Sequence, residues 1–116
     1  MRTSEENKRV VLRQIEALNA GDVEASVCIA HPDLFDHDGN GGAGYREAVR
    51  RLHERFAGCR LEPLDIVAED DRVVVRTRVS IDGVSSQQIH IWRLEGGRIV
   101  EHWGSGDHLR HPEEEP

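Results

Sequence analysis

Residues 72–103, RVVVRTRVSIDGVSSQQIHIWRLEGGRIVEHW, carry the reading that decides the fold. β-Branched residues alternate with polar ones in 72–81, and Asp82-Gly83 is the dipeptide that two-residue hairpins favour. A second apolar/polar alternation runs from Val84 to Leu94, and Gly96-Gly97 turns the chain into a last strand, Arg98 to about Asp107. If both turns hold two residues, register follows by counting. Val75 then pairs with His90 and Val73 with Trp92, and further on His90 pairs with Trp103 and Trp92 with Glu101. Because side chains alternate faces, one face carries Val73, Val75, Val79, Ile81, Trp92, Leu94, Ile99 and Trp103. Embedded in it are Thr77, Ser86, Gln88, His90, Glu101, Ser105 and Asp107. The other face mixes Val74, Ile89, Ile91 and Val100 with Arg76, Arg78, Arg93 and His102, too apolar for plain solvent and so expected to meet a partner.

Upstream, Arg60 to Val67 reads as a further strand, placed at a sheet edge by Pro63. Before it the pattern is helical. Thr3 and Glu6 fit a capping box, Val11, Leu12, Ile15 and Leu18 recur at helical spacing, and Gly21 supplies the stop. Asp22 caps a short second helix that His31-Pro32 ends. After the glycines of 39–44, Tyr45, Ala48, Val49, Leu52 and Phe56 make an apolar stripe closed by Gly58. The expectation is an α+β domain, helices first, with an antiparallel meander curling over them.

The 116 residues suit one domain, placed at 1–111, with 112–116 as a disordered acidic tail. Acids outnumber bases 22 to 15, and three of those acids lie in the tail, a balance opposed to a nucleic-acid surface. No apolar run is long enough for a membrane helix. Cys28 and Cys59 are too few for a disulfide framework and lack metal-ligand spacing, which points to a reduced, cytoplasmic setting.

Several pieces in order resemble the SnoaL-like polyketide cyclase group of the nuclear transport factor two-like superfamily. They are Glu6-Asn7-Lys8, Leu18-Asn19-Ala20-Gly21-Asp22, His31-Pro32-Asp33 leading to Asp36-His37-Asp38, and Glu69 to Val75. Ile89-His90-Ile91-Trp92-Arg93-Leu94 and Gly97 to Trp103 complete the set. The resemblance implies a cone-shaped, curved sheet packed on the N-terminal helices, a homodimer joined through the sheet, and a pocket for a small hydrophobic ligand inside the cone. In the cyclases proper the acid/base carboxylate directly follows the strand-end tryptophan; here that position is Gly104, and the next carboxylate is Asp107.

Ring closure or isomerisation requires a base beside a carbonyl and a donor for the developing enolate. Asp107 is the expected base and His90 the expected donor, although a flat sheet separates them by roughly 13 Å unless curvature or a bulge at Gly104 or Gly106 intervenes. Trp92 and Trp103 are the expected walls, Gln88 a polar ligand contact, and His37 and Asp38 approach the cone mouth. No cofactor and no metal centre are called for. Two alternatives stay open: a ligand-binding or assembly module without chemistry, and a calcium-binding protein. Asp36-x-Asp38-x-Asn40-Gly41 with Glu47 matches a calcium-loop pattern, but a helix-breaking proline precedes it and no second loop pairs with it.

Overall fold

The computed structural model describes residues 3–38 and 44–106. Three helices pack with one sheet: α1 (Ser4–Ala20), α2 (Val23–Ile29) and, after the first strand, α3 (Tyr45–Arg55). Five strands follow one another as β1 (Ala30–Asp36), β2 (Arg60–Glu69), β3 (Arg72–Ile81), β4 (Val84–Glu95) and β5 (Arg98–Gly106), in the spatial order β1-β5-β4-β3-β2. The class is α+β, as the alternation predicts.

Local chemistry explains the helix ends. Thr3 accepts from the Glu6 amide while the Glu6 carboxylate accepts from the Thr3 amide, closing the capping box. Gly21, at φ 65°, caps the other end by donating to the Ala17 and Leu18 carbonyls. Asp22 then caps α2 by accepting from the Ala25 amide. Val10, Val11, Ile15 and Leu18 of α1 and Leu52 and Phe56 beside α3 meet Leu61, Val73, Val75, Val79, Trp92, Leu94 and Ile99 of the sheet in one core.

The β3–β4 hairpin behaves as counted. Asp82 and Gly83 take φ 49° and 81°, the paired positive values of a type I′ turn, and Val75 pairs with His90 and Val73 with Trp92. The β2 strand lies at an edge, and its register shifts by one residue between Pro63 and Asp65.

Two features differ from the expectation. The sheet is mixed, because Ala30–Asp36 is a strand that runs parallel to β5 rather than the end of a helix. Second, the β4–β5 register slips. Leu94 faces Ile99 but Arg93 faces Glu101, so Val100 is a bulged extra residue, and both Ile99 and Val100 are buried. Every side chain beyond the bulge changes face. His90 pairs with Gly104 and Trp92 with His102, not with Trp103 and Glu101. His102 thereby enters the core, fully buried, and Trp103 is turned to the outer face.

Asp107, the tail 112–116, and Asn40 and Gly41 of the calcium-loop pattern lie outside the described residues. Among those described, no helix is long and apolar enough to cross a membrane.

Candidate functional site

The slip at Val100 builds a buried polar chain through the middle of the molecule. Gln88 and His90 project inward from β4, His102 from β5, and Asp36 from the end of β1; all four are buried. The Gln88 Oε1–His90 Nε2 distance is 2.8 Å, His90 Nδ1–His102 Nε2 is 2.7 Å, and His102 Nδ1–Asp36 Oδ1 is 3.0 Å. Arg55, the last residue of α3, donates from Nη2 to Asp36 Oδ2 at 3.1 Å. Its Nη1 lies 3.9 Å from the Asp38 carboxylate and has no hydrogen-bond partner.

Donor counting limits the proton arrangements. With Gln88 Oε1 accepting from His90 Nε2–H and Asp36 Oδ1 accepting from His102 Nδ1–H, one further proton lies between His90 Nδ1 and His102 Nε2, so the two stacked rings together hold three protons and one positive charge. The cationic histidine pair and Arg55 thus face two anions, Asp36 and Asp38, which is the arrangement that makes buried charge tolerable. Burial by itself would push the Asp36 carboxyl up. The hydrogen bond and charge of His102, the charge of Arg55 and the Asp38 amide outweigh it and hold the group at about 2.

The absence of a side chain at Gly104 shapes the outer end of this chain. A Cβ there would stand 2.2 Å from Asp38 Oδ2 and 3.1 Å from His90 Nδ1. The Asp38 carboxylate and the His90 ring therefore occupy the volume that a residue after Trp103 would fill. Asp38 reaches this space from the segment after β1.

The structure thus brings together Gln88, His90 and Asp38 among the expected site residues, and adds Asp36, His102 and Arg55. Trp92 is buried beside them, its ring 4.0 Å from that of His102, and acts as core rather than as an open wall. Two expectations are corrected. Trp103 and His37 are on the outer face, stacked at 4.7 Å, with His37 Nε2 2.6 Å from Glu101 Oε2. The bulge at Val100 is the cause for Trp103, and pairing beside β5, where His37 N–H donates to the His102 carbonyl, is the cause for His37. The consecutive apolar pair Ile99-Val100 is the one sequence signal that the alternation breaks there. Arg55 carried none, since a basic residue ending a helix reads as a solvated one.

The calcium pattern is dispersed. Glu47 sits in α3 in ion pairs with Arg50 and Arg51, and both Asp36 oxygens already accept bonds. Asp36, Asp38 and His102 do offer ligand atoms within 4.8 Å of one another, but Arg55 already pairs with both carboxylates.

Around this chain the described residues leave little space. The cavity bounded by Gln14, Ser26, Asp36, Trp92 and His102 measures about 10 Å³, room for one water rather than for a substrate. The larger hollow, about 710 Å³, is an open groove by Glu6, Asp70, Asp71 and Glu95 at the opposite end of β5, away from this chemistry.

Comparison with known proteins agrees with this architecture. The SnoaL-like domain family matches residues 11–102. AclR from Streptomyces galilaeus, a proposed hydroxylase, superposes with a TM-score of 0.71 at 24% identity, over 89% of this chain and 76% of that one. IdmH from Streptomyces antibioticus, a proposed polyketide cyclase, gives 0.66 at 24% over 85% and 90%. An NTF2-like protein of unknown function from Burkholderia pseudomallei gives 0.68 at 25% over 88% and 91%. No curated protein matches the chain.

Proposed function

The chain belongs to the SnoaL-like domain family, and from that premise we propose that it is a small-molecule acid–base protein, moving a proton at the carbon beside a carbonyl of a hydrophobic substrate without a cofactor. The observation that carries the reading is the Asp38 carboxylate standing in the space of Gly104, beside the unpartnered Arg55 Nη1.

In this reading Asp38 takes the proton, the C–H electron pair forms the enolate double bond, and the carbonyl π pair moves onto oxygen. Arg55 Nη1 donates to that oxygen, the classical need of such a step being a fixed donor where charge develops. Asp38 then returns the proton to carbon, or the enolate carbon attacks a second carbonyl and closes a ring. Both ring nitrogens of His90 are engaged, so His90 is a positioning residue: through His102 it keeps Asp36 anionic, and Asp36 holds Arg55. The substrate's carbonyl end would sit where β1 ends and β5 reaches Gly104, since the deep interior has no room for it.

Hydrogen–deuterium exchange at the α-carbon of a panel of flat, enolisable ketones, followed by NMR in D₂O, tests this without knowing the natural substrate. The protein should exchange at least one of them faster than buffer at the same pD. Failure across the panel would favour the second reading, a ligand-binding or assembly module without chemistry. Asp107→Asn separates the two carboxylates: loss of exchange there, with Asp38→Asn unaffected, would transfer the base role to Asp107.

The same family premise supports a homodimer through the outer sheet face. Paired positions set Val67, Val74, Ile91 and Trp103 in one row across four strands, with Ile89 nearly half exposed beside it. Cross-strand pairs such as Arg76–Asp65 and Arg78–Glu62 flank the row. Ile91→Asp and Ile89→Asp should each give a folded monomer by light scattering, and a persisting dimer would show that this face is not the interface.

A further inference from the structure

A second polar pair lies in the described interior, and the chemistry above does not use it. Ser26 of α2 is buried, and its Oγ stands 2.7 Å from Nε2 of His53 on α3, which is also buried. The two residues open onto different spaces. Ser26 borders the 10 Å³ cavity that Asp36 and His102 also border. His53 forms part of an open groove of about 580 Å³, with Asn19, Arg50, Glu54 and Cys59 around it. The pair bridges the buried chain and the outside.

The cavity between them has the chemistry of a water site. Gln14 Oε1 and Trp92 Nε1 are both buried without a hydrogen-bond partner, one an acceptor and the other a donor, and both residues line it. One water accepting from Trp92 and donating to Gln14 satisfies two groups whose isolation would otherwise cost about 1–3 kcal/mol each. Its volume and its polar partners meet the requirements for a bound buried water.

We propose that His53 and Ser26, continued by one water in this cavity, form the route by which the buried Asp36–His102–His90 chain exchanges protons with solvent. His102 first yields its Nδ1 proton to the Asp36 carboxylate, and Asp36 passes a proton to the water. The water gives one of its protons to Ser26 Oγ, the serine's own hydroxyl proton moves to His53 Nε2, and His53 releases a proton to the groove from its other nitrogen. The reverse sequence brings a proton back from solvent to His102 Nδ1, so each group gives up one proton and regains one and no charge remains on the route. His53 suits the task because burial lowers its affinity for a proton while the charge of Asp22 opposes that effect, leaving a neutral ring that protonates only transiently. The other charged neighbours on its groove side are Arg50 and Glu54, already paired with each other. The inference deepens the acid–base reading but does not need a substrate to be tested.

The measurement is water exchange of the ring N–H protons of His90 and His102 in ¹⁵N-histidine-labelled full-length protein, by NMR saturation transfer. Ser26→Ala and His53→Phe should each slow that exchange roughly tenfold or more, whereas Ser26→Thr, which keeps the hydroxyl, should stay near wild type. Backbone amide exchange in α2 and α3 is read in parallel to detect opening. Unchanged or faster ring exchange in His53→Phe with amide protection intact overturns the route. If Ser26→Ala loosens α2, the His53→Phe result alone decides. Because ketone turnover plays no part, failure here leaves the acid–base reading standing, and the converse also holds.

Discussion

Asp36→Asn is expected to lower stability at neutral pH by about 3 kcal/mol, with a fall in Tm of about 10 °C or more. The substitution keeps the shape and removes the charge. Arg55 and the positive charge shared by the His90–His102 pair would then face only Asp38, and His102 is fully buried, so one cation is left without its anion. Linkage gives the pH signature. The folded carboxyl is held at about 2, below its ordinary value, so its contribution is fully present above the unfolded value and disappears as pH falls through the folded one. With an unfolded value of roughly 3.9, that contribution is roughly 2–3 kcal/mol. Chemical denaturation of wild type and Asp36→Asn should therefore differ by a constant amount from pH 7 down to near 4, then converge toward pH 2. A gap that persists unchanged to pH 2 would mean that the loss comes from packing and not from charge.

The importance of Asp36 was only half legible in the sequence, and the reason is physical. Turn chemistry with two-residue loops transmits register faithfully, so the β3–β4 pairing could be counted from Asp82-Gly83, and with it the inward placement of Gln88, His90 and Trp92. The same count failed after Gly96-Gly97 because a bulge adds one residue without any turn signal, and Ile99 and Val100 are both apolar enough to be inside. That one residue exchanged His102 for Trp103 at the heart of the molecule. Ala30–Asp36 was hidden for a different reason. It contains a proline, lacks alternation, and pairs in parallel with a strand some seventy positions away. Nothing local announces such a strand, so Asp36 read as loop, and Arg55 drew no reading at all. Capping, by contrast, is local, and Thr3, Glu6, Gly21 and Asp22 behave as their order suggests.

Moving the carboxylate should move the activity with it. Asp38→Asn is expected to cut ketone α-exchange roughly a hundredfold or more, with little change in Tm, because the Asp38 side chain is partly exposed and its pairing with Arg55 is long at 3.9 Å. Gly104→Ala should do nearly the same although it removes no functional group. Its Cβ would stand 2.2 Å from Asp38 Oδ2 and 3.1 Å from His90 Nδ1. His90 is tied at both nitrogens, so the free end of Asp38 is the part that yields. The constructive test is Gly104→Asp in an Asp38→Ser background. There the new carboxylate enters space the old one has left, directly after Trp103, with Arg55 still held by Asp36. Gly104→Asp alone should be damaging, since two carboxylates cannot share the volume, whereas the double variant should recover roughly tenfold over Asp38→Ser, so the coupling exceeds the roughly 1.4 kcal/mol of that recovery by whatever Gly104→Asp costs alone. Strict additivity of the two substitutions would mean that Asp38 and position 104 do not serve one site, and the base would have to be sought elsewhere.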